Sequence, residues 1–245
     1  MSRDLEEYQR SYLLQPYEKY QVSFRKRKIK ELLSKYAHNN LLEVGCGLES
    51  IFHSIYSYDH LTIIEPAEIF YTKALSEAKL VKNNNIAIIN SELEKADFKN
   101  TTFNFIIISS LLHEIENQNN FLKKLHQISS NNTVLHLNVP NAKSFHRLLA
   151  VQMGLIKSEF EMSAANKEFQ QQQVFDLETL INLVESHGFK IIESGSYCFK
   201  PFTHQQMQNM LDAKLLTNEM LDGLYNMTKY LPNFGSEVFV NFKKI

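Results

Sequence analysis

Leu41-Leu42-Glu43-Val44-Gly45-Cys46-Gly47 decides how the rest of the chain is read. It has the form of a short buried strand running directly into a glycine turn. Gly45 and Gly47 carry no Cβ, so the backbone there can take positive φ and let a ligand lie against it. The segment from Leu48 to Tyr56 is expected to continue as a helix with its free N–H groups facing the turn. Strand, turn and helix N-terminus together would seat part of a nucleotide-like cofactor.

Outward from this stretch, Ile29, Leu32, Leu33 and Tyr36 fall on one face of a preceding helix. Leu61 to Ile64 reads as a second buried strand, closed by Glu65-Pro66, and Pro66 suits the first position of a helix carrying Phe70, Ala74, Leu75 and Ala78. After the turn cluster Asn83-Asn84-Asn85 come a third strand, Ile86 to Ile89, and a fourth, Phe103 to Ile108. A helix marked by Phe121, Leu122, Leu125 and Ile128 follows, then a fifth strand, Thr133 to Val139, stopped by Pro140. Near-continuously apolar strands alternating with helices indicate a parallel sheet covered on both faces.

Beyond Pro140 the pattern changes. Ser144 to Met153 is expected to be helical and Lys157 to Gln173 a mobile polar loop that orders on substrate binding. Asp176 caps a helix ended by Gly188. Phe189 to Glu193 starts a sixth strand, Thr203 to Asn226 forms one or two helices, and Glu237 to Phe242 is a last strand. Met207, Met210, Leu211 and Leu215 are expected to fill the core from one helix face.

The chain has 245 residues, 44% of them hydrophobic, and a formal net charge of -1. One α/β domain accommodates this length. It divides into an N-terminal helical segment (1–38), a cofactor-binding core (39–140) and two acceptor-side cap insertions (141–175 and 202–232). The near-neutral charge argues against a nucleic-acid partner. The basic run Arg25-Lys26-Arg27-Lys28 reads as a solvated helix face. Two cysteines, Cys46 and Cys198, make neither a disulfide framework nor a C-x-x-C metal pair, which suits a reducing, cytoplasmic setting. The charged start, Met1 to Glu7, has no leader-like apolar run, and nothing approaches the roughly 18 apolar residues of a bilayer span.

Which cofactor the turn takes depends on its neighbours. A dinucleotide fingerprint would want a third small residue, where this chain has Ser50. Glu65 closes the second strand where a carboxylate can accept both ribose hydroxyls, and Glu92 follows the third strand where an adenine edge can lie. All three sites sit at carboxyl ends of adjacent strands, where open α/β sheets bind ligands.

These motifs, in this order, resemble the class I S-adenosylmethionine-dependent methyltransferases, from about Phe24 to the C-terminus. Glu43 to Gly47 looks like the family's first motif, Glu65 like its ribose-binding acid and Ser91-Glu92-Leu93 like its adenine segment. Phe103 to Glu114 resembles the strand and loop beside the methionine end of the cofactor. Val139 to Leu149 resembles a subgroup associated with bacterial surface-glycan biosynthesis. The resemblance implies a doubly wound, mostly parallel seven-stranded sheet whose last strand is antiparallel. It implies S-adenosyl-L-methionine as cofactor, with contacts from Glu43, Gly45, Cys46, Gly47, Glu65, Pro66, Glu92, Leu93 and Ser109. It also implies O-methylation of a small polar acceptor such as a nucleotide-linked sugar.

An alcohol acceptor must lose a proton, so His113, His146 and Glu114 are candidate bases. Many relatives carry Leu-Glu-His where this chain has Leu112-His113-Glu114. Asn141, His146 and Arg147 could hold a phosphate or sugar hydroxyls. His136, inside a strand, reads as structural. Tyr12, Tyr17, Tyr20 and Phe24 could form part of a lid or dock the N-terminal segment. Competing readings are methylation of a quinone or other aromatic molecule, and a non-catalytic binding module. A homodimer is compatible with these features.

Overall fold

The computed structural model describes Glu7 and residues 15–81, 85–99 and 101–245. The N-terminus through Glu6, Tyr12 of the expected lid and Asn83-Asn84 of the turn cluster lie outside the described residues.

Five strands run parallel: β1 (Asn40–Val44), β2 (His60–Ile64), β3 (Ile86–Ile89), β4 (Phe105–Ser109) and β5 (Val134–Pro140). Two longer ones complete the sheet, β6 (Phe189–Phe199) and β7 (Gly235–Lys244). The spatial order is β3-β2-β1-β4-β5-β7-β6. The β7 strand is antiparallel to both neighbours and lies between them. The order reverses beside β1, so the first βα turn opens onto the crevice between β1 and β4, where open sheets of this kind take their ligands.

Strand alternation explains why both faces are apolar. Leu41, Leu61, Ile63, Phe105 and Ile107 point to one face, under Ile29, Leu32 and Leu33 of α1 (Glu18–Leu33) and Ala74 of α2 (Glu68–Ala78). Leu42, Val44, Ile106, Ile108, Leu135 and Leu137 point to the other. Phe121, Leu122 and Leu125 of α3 (Gln118–Ile128) and Leu180 and Val184 of α6 (Leu177–Glu185) cover them. Asp176 caps α6, accepting from Thr179 N–H while Thr179 hydroxyl oxygen accepts from Asp176 N–H.

Between β5 and α6 lie α4 (Phe145–Gln152) and α5 (Ala164–Glu168). The segment expected to be a mobile loop thus contains a short helix, and Gln172 and Gln173 N–H donate to the His113 carbonyl. Between β6 and β7 lie α7 (His204–Asp212) and α8 (Asn218–Asn226). They cover a third cluster that joins Tyr17 and Phe24 of the N-terminal segment to Met207, Leu216, Leu221 and Tyr225. Leu215 was expected in that core, but it is exposed and Leu216 is buried in its place. Lys214, in the left-handed region at φ 58, turns the chain just before them.

Two other expectations are corrected. The Leu48–Tyr56 segment holds only one 3-10 turn, Ile51–His53. The buried Glu43 carboxylate takes the Ser50 hydroxyl and Ile51 N–H, fixing the chain at Ser50 before a longer helix can form. The basic run is not a solvated face: Arg25 and Lys26 have side chains 11% exposed and paired with carboxylates, and Lys28 lies over the Phe239 ring. The sixth strand runs on to Phe199 through a register shift at Ile191/Glu193.

At Gly235 a Cβ would lie 2.5 Å from the Tyr197 carbonyl oxygen and 2.6 Å from its nitrogen. Backbone cannot move aside as a side chain can. Gly235→Ala is therefore expected to destabilise the protein by about 1–3 kcal/mol, as overpacking does, read as a lower urea midpoint.

His136 is fully buried, its Nδ1 2.8 Å from Asn241 Oδ1, and burial pushes its pKa down to about 4. The unfolded chain would bind that proton near 6.5. Between pH 6.5 and 4 the unfolded state thus holds more protons, and stability falls as pH falls. At 1.36 kcal/mol per pH unit, the unfolding free-energy gap between wild type and His136→Gln should shift by about 3 kcal/mol across that window, against the wild type at low pH. Urea titrations at several pH values measure it; a gap independent of pH would refute it.

Candidate active site

The carboxyl ends of β1, β2 and β4 and the segment after β3 converge on a cavity of about 370 Å³. At its base β1 ends in the glycine turn, with Gly45 at φ 77 and Gly47 at φ 54. Gly45 N–H donates to Ile64 carbonyl at 2.8 Å, tying the turn to β2. A Cβ on Gly47 would meet nothing within 4 Å, so the bare backbone faces open space.

Glu65 organises the turn from β2. One of its oxygens accepts from Cys46 N–H (3.0 Å) and Gly47 N–H (3.1 Å), and the other accepts from Ala67 N–H (2.9 Å). Burial raises its pKa, and these three backbone donors pull it back. The first N–H groups after β1 therefore face a carboxylate supplied by the next strand. A carboxylate has about four acceptor positions; three take N–H groups, and the last is open to one ligand hydroxyl in competition with the Cys46 thiol, 3.7 Å from Oε2.

Glu43 lies beneath the turn. Burial pushes its pKa up to about 7, against the Ser50 and Ile51 hydrogen bonds that favour the anion. Burial likewise pushes the Cys46 thiol far up, which leaves it inert as a nucleophile. Lys26 reaches across from α1 to Glu49 (2.8 Å) and to the Ser50 carbonyl (3.3 Å), closing the turn from above.

The opposite wall follows β4. Ser110 has φ 53, a strained position for a non-glycine residue of the kind that collects at functional sites. Its N–H donates to Asn138 carbonyl on β5. Leu111 then meets the glycine turn, its Cδ2 3.4 Å from where a Cβ on Gly45 would be. A 3-10 turn, Leu112–Glu114, follows, with His113 and Glu114 both buried and His113 Nε2 3.7 Å from Glu114 Oε1.

The cavity collects all nine sequence-predicted cofactor residues (Glu43, Gly45, Cys46, Gly47, Glu65, Pro66, Glu92, Leu93 and Ser109) and Glu114. Leu93 is buried, while Glu92 is exposed and paired with Lys95 at 2.8 Å. His113, Asn141, His146 and Arg147 are not in its wall. Asn141 clamps the approach to β7, donating to Asn233 and Gly235 carbonyls and accepting from Lys143 N–H. Arg147 donates to the Glu159 and Glu161 carbonyls, tethering the 157–161 segment to α4. His146 is half-buried, and burial first, then the charge of Lys200, hold its pKa well below the usual value.

Several wall residues were not singled out from the sequence. Arg25 comes from α1, where its neighbours in the basic run concealed it; Glu116, Asn117 and Gln172 sit in loops without periodicity. Arg25 is held by Glu18 at 2.5 Å and by Glu237 through two bonds, and Asn138 donates to the other Glu237 oxygen at 3.0 Å.

A seven-stranded sheet with β7 inserted antiparallel, a glycine turn after β1 and a carboxylate ending β2 define the methyltransferase class. The chain belongs to the family described as "Methyltransferase domain", whose profile matches residues 17–194. Comparison with curated proteins finds no match. Among solved structures, a possible histamine N-methyltransferase from Thermotoga maritima matches with TM-score 0.65 at 15% identity, covering 99% of this chain and 97% of its own. The N-methyltransferase NodS from Bradyrhizobium japonicum, in complex with S-adenosyl-L-homocysteine, matches with TM-score 0.54 at 12% identity, over 96% and 90%. The cyclopropane synthase MmaA2 from Mycobacterium tuberculosis matches with TM-score 0.58 at 15% identity, over 89% and 83%. At these identities the likeness is one of fold.

The protein is an S-adenosyl-L-methionine-dependent methyltransferase. The residues present fit that cofactor: a backbone cradle open at Gly47, a carboxylate lining the cavity at Glu65, and apolar walls from Leu93, Leu111 and Phe70. Among the described residues no helix is long and apolar enough to cross a membrane.

Proposed function

We propose that the protein methylates an oxygen of a small polar acceptor, such as a nucleotide-linked sugar or surface-glycan precursor. The observation that carries this reading is the set of polar side chains in the cavity wall. Beside apolar residues such as Leu111, Ile115 and Phe121, the wall includes Glu114, Glu116, Asn117, Gln172 and Arg25, which can bind hydroxyl-bearing ligands. When bound, S-adenosyl-L-methionine supplies a methyl group already activated by its sulfonium.

The protein's part is to hold the acceptor in line, exclude water and accept the hydroxyl proton. In this reading Glu65 grips the ribose, Gly45 to Gly47 leave space for the cofactor, and Leu93 packs on the adenine. Glu114 is the base, because it is buried and in the cavity wall. His113, behind it, is a positioning residue rather than a proton acceptor from substrate. Ser109 and the strained Ser110 set the height of that turn.

Methyl-labelled S-adenosylmethionine offered with sugar nucleotides tests the reading, with label expected on a hydroxyl. Glu114→Gln should lower kcat by about 10²- to 10⁴-fold, the usual weight of a general base, with cofactor affinity unchanged by calorimetry. An unchanged kcat would remove Glu114 from the role. A second reading, transfer to an amine, is favoured by the two carboxylates Glu114 and Glu116 in the wall, which would draw in a cationic group. Label appearing on amines but on no hydroxyl would select it.

A further inference from the structure

Lys200 directly follows β6 and is only 5% exposed. Among the described residues its ammonium makes no hydrogen bond or ion pair. Burying an ammonium without a partner costs several kcal/mol, so the position demands an explanation. The carboxylates whose charges reach it are already engaged. Glu18 pairs with Arg25, and Glu237 with Arg25 and Asn138.

Two imidazoles border the same place. His146 opens α4 with its Nδ1 buried and without a hydrogen-bond partner. His204 opens α7, its ring 5.3 Å from the Tyr17 ring. The Phe199 ring lies 5.0 Å from that of Phe145, setting the end of β6 against the start of α4, and the charges of Lys200 and His204 both reach His146. On the α1 side, Cys198 Sγ lies 3.6 Å from Gln21 Oε1. The end of β6 pairs with Gly235, at the same edge of the sheet where β5 ends opposite Glu237. That is the rim holding the cavity, and Arg25, which lines the cavity, is paired with Glu237, whose charge reaches Lys200.

We propose that Lys200, His146 and His204 form a seat for a compact anion, a phosphate or carboxylate, carried by the methyl acceptor. The proposal rests on the small polar acceptor argued above and adds its charged end. Burial holds Lys200 down at about 8 and His146 well below its usual value. Near neutral pH the group thus offers one cation and two uncharged rings able to donate. An anion would complete the ammonium's pairing and draw protons toward the rings. A lysine kept only for packing predicts the opposite response to replacement, since the fold would then depend on it.

The test uses the whole chain saturated with S-adenosylhomocysteine, in chloride buffer, with inorganic phosphate and acetate as separate probes. Histidine ring NMR signals, assigned with His146→Asn and His204→Gln, and the thermal midpoint are followed as each anion is added. At least one anion is expected to shift both rings and raise the midpoint at millimolar concentration. Lys200→Met should weaken that response at least tenfold while its midpoint without anion stays level or rises. A response to phosphate alone assigns a phosphate-bearing acceptor, and to acetate alone a carboxylate-bearing one. Failure of both anions to shift the rings, or an undiminished response in Lys200→Met, would overturn the proposal. Calorimetric binding of S-adenosylhomocysteine in the same samples reads the cofactor site separately, so loss of the anion seat is distinguishable from failure of the methyltransferase reading.

Discussion

Replacing Glu65 with alanine is expected to weaken S-adenosylmethionine and S-adenosylhomocysteine binding by about 10²- to 10³-fold. One hydroxyl bond to a carboxylate, at about 1.5–3 kcal/mol, accounts for about half of that, with tenfold per 1.4 kcal/mol. The remainder comes from the turn itself. Cys46, Gly47 and Ala67 N–H all donate to this side chain, and without it three donors lose their partner beside the cofactor's seat. The same loss should lower the unfolding free energy of the ligand-free protein by about 2–4 kcal/mol, within the range for buried donors left unsatisfied. Calorimetry and urea unfolding on one preparation separate the two effects. Cofactor affinity within threefold of wild type would show that Glu65 only braces the turn.

The second large effect is expected at Glu237, which is 2% exposed and joins Arg25 of α1 to Asn138 of β5. Glu237→Ala leaves a guanidinium, 11% exposed, with Glu18 but without its second carboxylate, and the Asn138 amide without its acceptor. Removing one partner of a buried pair costs about 3–5 kcal/mol. At about 2–4 °C per kcal/mol for a chain of this size, the thermal midpoint should fall by about 6–20 °C. Arg25→Met combined with Glu237→Met should recover part of that loss, because the guanidinium that lost a carboxylate is gone. If the double variant is as unstable as Glu237→Ala, the cost lies in packing instead.

That the glycine turn and the ends of the first strands would line one cavity was legible in the sequence because the determinants are local. Gly45 and Gly47 mark a turn by their own stereochemistry, and Glu65 and Glu92 each sit directly after an apolar strand. Position along the chain then translates into position at the sheet edge. The acceptor half was not legible for the opposite reason. Arg25 and Lys26 look like solvent-facing helix charge until Glu237 and Glu49 are brought beside them from far along the chain. Lys200 carries no local signal at all. The failed helix at Leu48–Tyr56 has a similar cause: Glu43, already counted as part of a strand, reaches forward to Ser50 and Ile51 and ends the turn.

The placement of β7 has a consequence for how the molecule is made. During synthesis, β5 emerges long before the strand that will lie against it, and β6 has no partner until that strand arrives. The nascent protein must therefore hold an open slot between two exposed ladders, and closing it joins segments about a hundred residues apart, as in Leu135 with Phe242. Such distant pairing is slow and leaves bare edges exposed to aggregation. Ribosome-bound chains halted before Gly235 should consequently be captured by chaperones that release the finished enzyme.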